Sequence, residues 1–204
     1  MSEFDSKARD WDKNQGYIIR SEAVAQAMLR MIPVRPGMKA LEYGSGTALL
    51  SFALKDHFSE ITLMDNSREM TAVAGEKIAG SKIGHMKTLF FDLEHQDFDG
   101  EFDIIYSQMV MHHVGDIDAM FGKFYKLITP GGYLAAADLY TEDGSFHGES
   151  FHGHTGFDPE DLGRRLQNAG FDEIEYQPCF VIKKTEADGK SREFPVFLLK
   201  ARRP

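Results

Sequence analysis

Glu42, Gly44, Ser45 and Gly46 fall within ten positions, LEYGSGTALL, where an apolar run ends on small residues beside one carboxylate. Glycine takes torsions that other residues avoid and leaves bare backbone against which a ligand can lie. Asp65, followed by Asn66 in ITLMDNS, stands 21 residues beyond Gly44. At that distance an acid ending the next strand can accept hydrogen bonds from both hydroxyls of a ribose. In FFDLEH, Asp92 follows a further apolar run, placed to accept from the exocyclic amine of adenine while Leu93 covers the ring. A dinucleotide loop, G-x-G-x-x-G/A, would need a small residue where Leu49 stands, and the Gly-Lys-Ser/Thr of a Walker loop is missing. Glu42 would repel a pyrophosphate but suits ammonium and sulfonium charges. Together these features imply a cationic adenosine.

Histidines form the second group. His112 and His113 stand in SQMVMHHV, and residues 140–157, YTEDGSFHGESFHGHTGF, add His147, His152 and His154 in 18 residues without helical or strand period. Loops of that length in a compact domain are usually functional lids or disordered, and three Phe within it argue against simple disorder. An imidazole is largely neutral near pH 7 and can accept a proton from a reacting group. His112 and His113 are adjacent at what reads as a helix start, where neighbours diverge by about 100° and only one can face a pocket. The spacing H-x4-H-x-H matches no closed zinc pattern, so no metal is expected.

These residues need a scaffold that brings strand ends together. Val24, Ala27, Met28 and Met31 recur at helical spacing over residues 18–31, closed by the turn VRPG. Strand-like runs over 39–43, 60–64, 86–91 and 102–106 then alternate with helical stretches over 47–55, 68–78 and 118–127. The turn TPGG, a strand over 133–139 and a helix over 159–169 follow. Two β-rich runs, 173–183 and 194–201, are joined by EADGK, whose Asp-Gly signals a hairpin. Such alternation predicts a parallel sheet covered on both faces, with ligands held beyond the carboxyl ends of its strands.

In their order and spacing these segments resemble the class I S-adenosylmethionine-dependent methyltransferases, in particular small bacterial methyltransferase-domain proteins. The resemblance runs from about Trp11 onward. EYGSGT, MDNS, FFDL and FDIIYSQMVMHHV are similar to the first four motifs, TPGGYLAAADL to the fifth-strand motif, and the final hairpin to the family's antiparallel ending. Ala48 departs from the pattern, since many members carry a third glycine there.

The resemblance implies an α/β, Rossmann-like, doubly wound and mostly parallel sheet with an antiparallel last strand, in three layers. It implies an N-terminal helical lid over residues 1–35, a methyltransferase domain over 36–204, and S-adenosylmethionine as cofactor. The implied cofactor site comprises Glu42, Gly44, Ser45, Gly46, Asp65, Asn66, Asp92, Leu93 and Ser107. Trp11 and Tyr17, from the segment that folds over the methionine end in similar proteins, are added to it. In similar enzymes the first histidine of such a pair faces the pocket, which makes His112 the proton acceptor and His113 a packing residue. Methyl transfer itself is an in-line displacement that needs alignment, exclusion of water and, where the nucleophile carries one, removal of a proton.

Composition bounds the alternatives. With 204 residues and 42% hydrophobic content the chain can bury one sizeable core. Cys179 stands alone, and no run resembles a secretory signal or a membrane span, so a cytoplasmic protein without a membrane partner is expected. The net charge of −9 argues against nucleic acid. From Lys183 onward seven Lys/Arg face three Asp/Glu, a local +4 that leaves −13 elsewhere and reads as a solvated hairpin edge. No Asn/Asp-Pro-Pro-aromatic sequence and no Pro-Cys loop occurs, which leaves a small-molecule acceptor. A non-catalytic S-adenosylmethionine-binding regulator and a nicotinamide dehydrogenase are the competing readings, the latter disfavoured by Leu49 and the antiparallel ending.

Overall fold

The structure, a computed structural model, describes residues 4–148, 151–185 and 191–204. A 3-10 segment, Asp5–Lys13, leads into α1, Gln15–Met31. The strands are β1 (Lys39–Tyr43), β2 (Glu60–Asp65), β3 (Met86–Phe90), β4 (Phe102–Gln108), β5 (Ile128–Leu139), β6 (Asp172–Thr185) and β7 (Ser191–Arg202). The helices between them are α2 (Leu49–Leu54), α3 (Arg68–Ser81), α4 (Ile117–Leu127) and α5 (Pro159–Asn168). One seven-stranded sheet runs β3-β2-β1-β4-β5-β7-β6. The first five strands pair in parallel, and β7 lies antiparallel to both β5 and β6.

Local sequence sets the helix starts. Ser67, Asp116 and Asp158 each accept a backbone N–H of the following turn, and Pro159 occupies the first turn of α5, where a missing N–H costs nothing. β1, β2 and β4 are buried on both faces, which is why they read as continuous apolar runs. One core layer gathers Val24, Met28, Leu50, Leu54 and Ala74 over the sheet, and the opposite layer gathers Met120, Phe121, Phe124, Leu162 and Leu166. The expected three layers are present.

Beyond shifts of a few residues at element ends, three features differ from the sequence reading. TPGG is not a turn ahead of β5 but part of it, and the β4–β5 register shifts between Phe102 and Ile104. α2 begins at Leu49, not 47, because Ala48 takes a left-handed conformation at φ 68°. The 112–113 pair sits on a single 3-10 turn, Met111–His113. The expected EADGK hairpin turn lies outside the described residues. Among the described residues no helix is long and apolar enough to cross a membrane.

Candidate active site

Strand order reverses between β1 and β4, so the loops leaving them diverge and open a cavity of about 620 Å³ at the carboxyl edge of the sheet. Its floor is the loop after β1. The Ser45 N–H donates to the Met64 carbonyl at 3.0 Å, and the Gly46 N–H donates to Asp65 Oδ2 at 2.7 Å. Gly46 has φ +53°, and a Cβ there would find only Met70 Sδ, at 4.0 Å, so bare backbone faces open space. Asp65 also accepts from the Ser67 N–H at 2.8 Å. Burial pushes its carboxyl up, while those two N–H donors pull it back. Each oxygen keeps a second lone pair for a ligand.

Gly44, Ser45, Asn66, Asp92 and Leu93 line the same cavity, with Leu93 buried and Asp92 Oδ2 held 2.8 Å from His95 Nδ1. Glu42 lines it too, but not as a standing negative charge. Its side chain is buried, accepts from the Ser51 hydroxyl, and is pushed up to about 8 chiefly by burial. At pH 7 it is a carboxylic acid unless a cation draws it into the ionised form.

The Ser107 assignment is corrected. Ser107 is buried away from the cavity, its Oγ has no partner among the described residues, and the neighbouring Gln108 lines the wall instead. Strand alternation explains the swap, since Tyr106 and Gln108 share the face of Glu42, across from which Ser107 points. Gln108 Nε2 donates to Ser21 Oγ at 3.0 Å, and Oε1 has no partner among the described residues.

The N-terminal segment closes one side. Trp11 and Tyr17 line the cavity with ring centroids 4.7 Å apart. The segment is tied down by Asp12, which accepts from Thr47 Oγ1 at 2.5 Å and pairs with Lys77 at 2.6 Å, and by Asp5, which accepts from Ser67 Oγ at 2.6 Å.

The far end holds the histidines. His112 is buried, lines the cavity, and places Nδ1 2.6 Å from Asp138 Oδ1, which leaves Nε2 as its available nitrogen. His113 also lines the cavity, so its assignment to packing alone is corrected. His147 arrives from the 140–157 loop, 4.8 Å from His112 between ring centroids. Burial pushes both His113 and His147 down to about 4, with neighbouring positive groups adding to it. The loop is anchored where the His154 N–H donates to the His112 carbonyl at 2.8 Å. At Gly153 a Cβ would come within 2.2 Å of that carbonyl, so only glycine fits the approach. His154 Nε2 is 3.0 Å from the Val114 carbonyl, and His152 is exposed.

Sequence reasoning missed Asp138, Arg20, Gln108 and Lys184. Asp138 carried a signal, being the single acid in the apolar run YLAAADL. Arg20 is 7% exposed with Nε unpartnered among the described residues, and Lys184, read as hairpin edge, lines the cavity. Charge is therefore grouped: of the lining residues, Asp65, Asp92 and Glu94 all bear on Tyr43, Lys7 and Lys184 bear on His147, and Arg20 feels Asp138 behind His112. The acidic group and open backbone fit the hydroxyl and amine donors of an adenosine.

A family model described as a methyltransferase domain matches residues 18–176. An uncharacterized methyltransferase of Schizosaccharomyces pombe is 29% identical over 171 residues, covering 76% of this chain and 58% of its own. The chain thus spans less than two thirds of that relative's length. The methyltransferase of a complex with a methyltransferase activator from Haloferax volcanii superposes with a TM-score of 0.79 at 19% identity, over 100% of this chain and 99% of its own. A Haemonchus contortus phosphoethanolamine N-methyltransferase 2 in complex with S-adenosyl-L-methionine gives 0.69 at 16%, over 96% of this chain and 60% of its own.

Proposed function

The chain belongs to the methyltransferase-domain family of class I enzymes, with S-adenosylmethionine as cofactor, and on that premise we propose that it methylates a small-molecule acceptor in the cavity between β1 and β4. The observation that carries this reading is one cavity lined by the glycine loop, Asp65, Asp92 and His112, the last held through Nδ1 by Asp138.

S-adenosylmethionine supplies a methyl group on a sulfonium, open to displacement by an acceptor nucleophile. Asp65 would accept from the ribose hydroxyls, Asp92 from the adenine amine, and Leu93 would cover the ring. Glu42, neutral in the buried site, would ionise toward the cationic end. Trp11 and Tyr17 would exclude water as a lid over residues 1–35. His112, oriented through Nδ1 by Asp138, would take the acceptor's proton at Nε2. Lys7, Arg20 and Lys184 favour an acceptor bearing a negative group, consistent with a relative named for phosphoethanolamine.

The test has two stages. Calorimetry should show S-adenosylmethionine binding, weakened by roughly 10- to 100-fold in Asp65→Ala, as expected when hydrogen bonds to a charged acceptor are lost. Unchanged affinity removes Asp65 from the site. An acceptor screen with labelled methyl donor, weighted toward phosphorylated and carboxylated amines and alcohols, should then yield a methylated product. Tight cofactor binding with no turnover across the screen would favour the regulator reading.

A further inference from the structure

We propose that His112, His113 and His147 form a three-histidine site for a divalent late transition metal such as Zn2+, with its fourth position open to the acceptor end of the cavity. One nitrogen from each ring lies within 4.8 Å of the other two. A four-coordinate metal with bonds of about 2.0–2.1 Å holds such nitrogens about 3.3 Å apart, so the rings must close by about 1.5 Å. That closure would fall to the loop carrying His147, which lies outside the helices and strands and has glycine at 144 and 148.

Three further observations point the same way. Asp138 engages His112 Nδ1 at 2.6 Å, which fixes the ring and presents Nε2, as the carboxylate behind a metal-bound histidine does. His147 Nδ1 is buried without a partner among the described residues, although a buried ring nitrogen ordinarily finds one. Phe151 stacks on His147 with centroids 3.9 Å apart and stands 5.3 Å from His113, giving the cluster an apolar wall.

Lys184 and Lys7 bear on His147 and oppose a bare dication. They favour a metal whose open position carries an anion, which would make the fourth ligand a hydroxide, carboxylate, phosphate or thiolate. A metal at His112 Nε2 and proton acceptance by that nitrogen exclude one another. In the metal-loaded form, then, the metal and not His112 would hold an acceptor oxygen or sulfur in its deprotonated state. The acceptor's part rests on the proposed function, whereas metal binding itself is measured without methyl transfer.

Untagged full-length protein, stripped with chelator, should be titrated calorimetrically with Zn2+ alone, and with Co2+ followed by visible absorption. One Zn2+ per chain at micromolar affinity or tighter is expected, with a four-coordinate Co2+ spectrum. His147→Ala and His113→Ala should each weaken binding at least tenfold, Asp138→Asn should weaken it by about 10- to 100-fold, and His57→Ala, an exposed control, should leave it unchanged. Circular dichroism confirms that each variant is folded. Wild-type affinity weaker than about 100 µM, or an equal effect of His147→Ala and His57→Ala, overturns the site.

Discussion

Sealing a carboxylic acid beneath the glycine loop makes the fold sensitive to alkali. Glu42 titrates at about 8 in the folded protein because burial opposes its ionisation, against an ordinary value of 4.5. Its contribution is therefore fully present below pH 4.5, is lost as pH rises toward 8, and is constant above. Each pH unit across that window is worth at most about 1.4 kcal/mol. Glu42→Gln should match the wild type in thermal melts at pH 4.5 and exceed it increasingly up to pH 8, and a difference independent of pH would remove the buried acid as the cause. The histidine pair makes a second prediction at this scale. With chelator-treated protein and an identified acceptor, His112→Ala should lower kcat by at least about tenfold at saturating donor, since general-base contributions run to about 10²–10⁴. His113→Ala should lower it less, because of the two rings it is that of His112 which a carboxylate, Asp138, orients. The reverse order would transfer the proton-accepting role to His113.

Among the elements, the turn from β1 into α2 is under strain at Ala48, whose φ of 68° belongs to glycine. Ala48→Gly should raise stability by about 0.5–1 kcal/mol in denaturant titration, with the slope unchanged; a loss of stability would mean that the buried methyl group outweighs the torsion. The family pattern carried this hint, because glycine is the commoner residue at that position. Most elements were equally legible: β1, β2 and β4 announced themselves as strand-like apolar runs, and the helices between them as the stretches that break those runs. The same uninterrupted burial hid which face each β4 residue takes, so Ser107 was chosen where Gln108 reaches the cavity. The acids Asp65 and Asp92 could be placed because strand ends dictate them. His147 could not, because a loop without period gives no direction to its side chains, and its meeting with His112 depends on tertiary contacts such as that of His154 with the His112 carbonyl.

For the molecule as a whole, the net charge of −9 is the deciding quantity for macromolecular partners. At physiological salt the protein should not retain tRNA or duplex DNA in a filter-binding assay, since counterion release needs a dense basic surface. Sub-micromolar, salt-sensitive retention would overturn this and direct attention to the +4 stretch from Lys183 onward. The grouping of charge inside the cavity is a separate matter, set by strand ends for the acids and by α1 and β6 for the cations. Sheet order has a consequence for synthesis. β7 is inserted between β5 and β6, so β5 leaves the ribosome with one edge unpaired and waits for a strand that ends at Arg202. At about 5–20 residues per second the intervening chain of roughly 60 residues takes about 3–12 s to make. Throughout that interval the nascent sheet presents an open edge to its neighbours on the polysome, which makes β5 the strand most exposed to edge-to-edge pairing during synthesis.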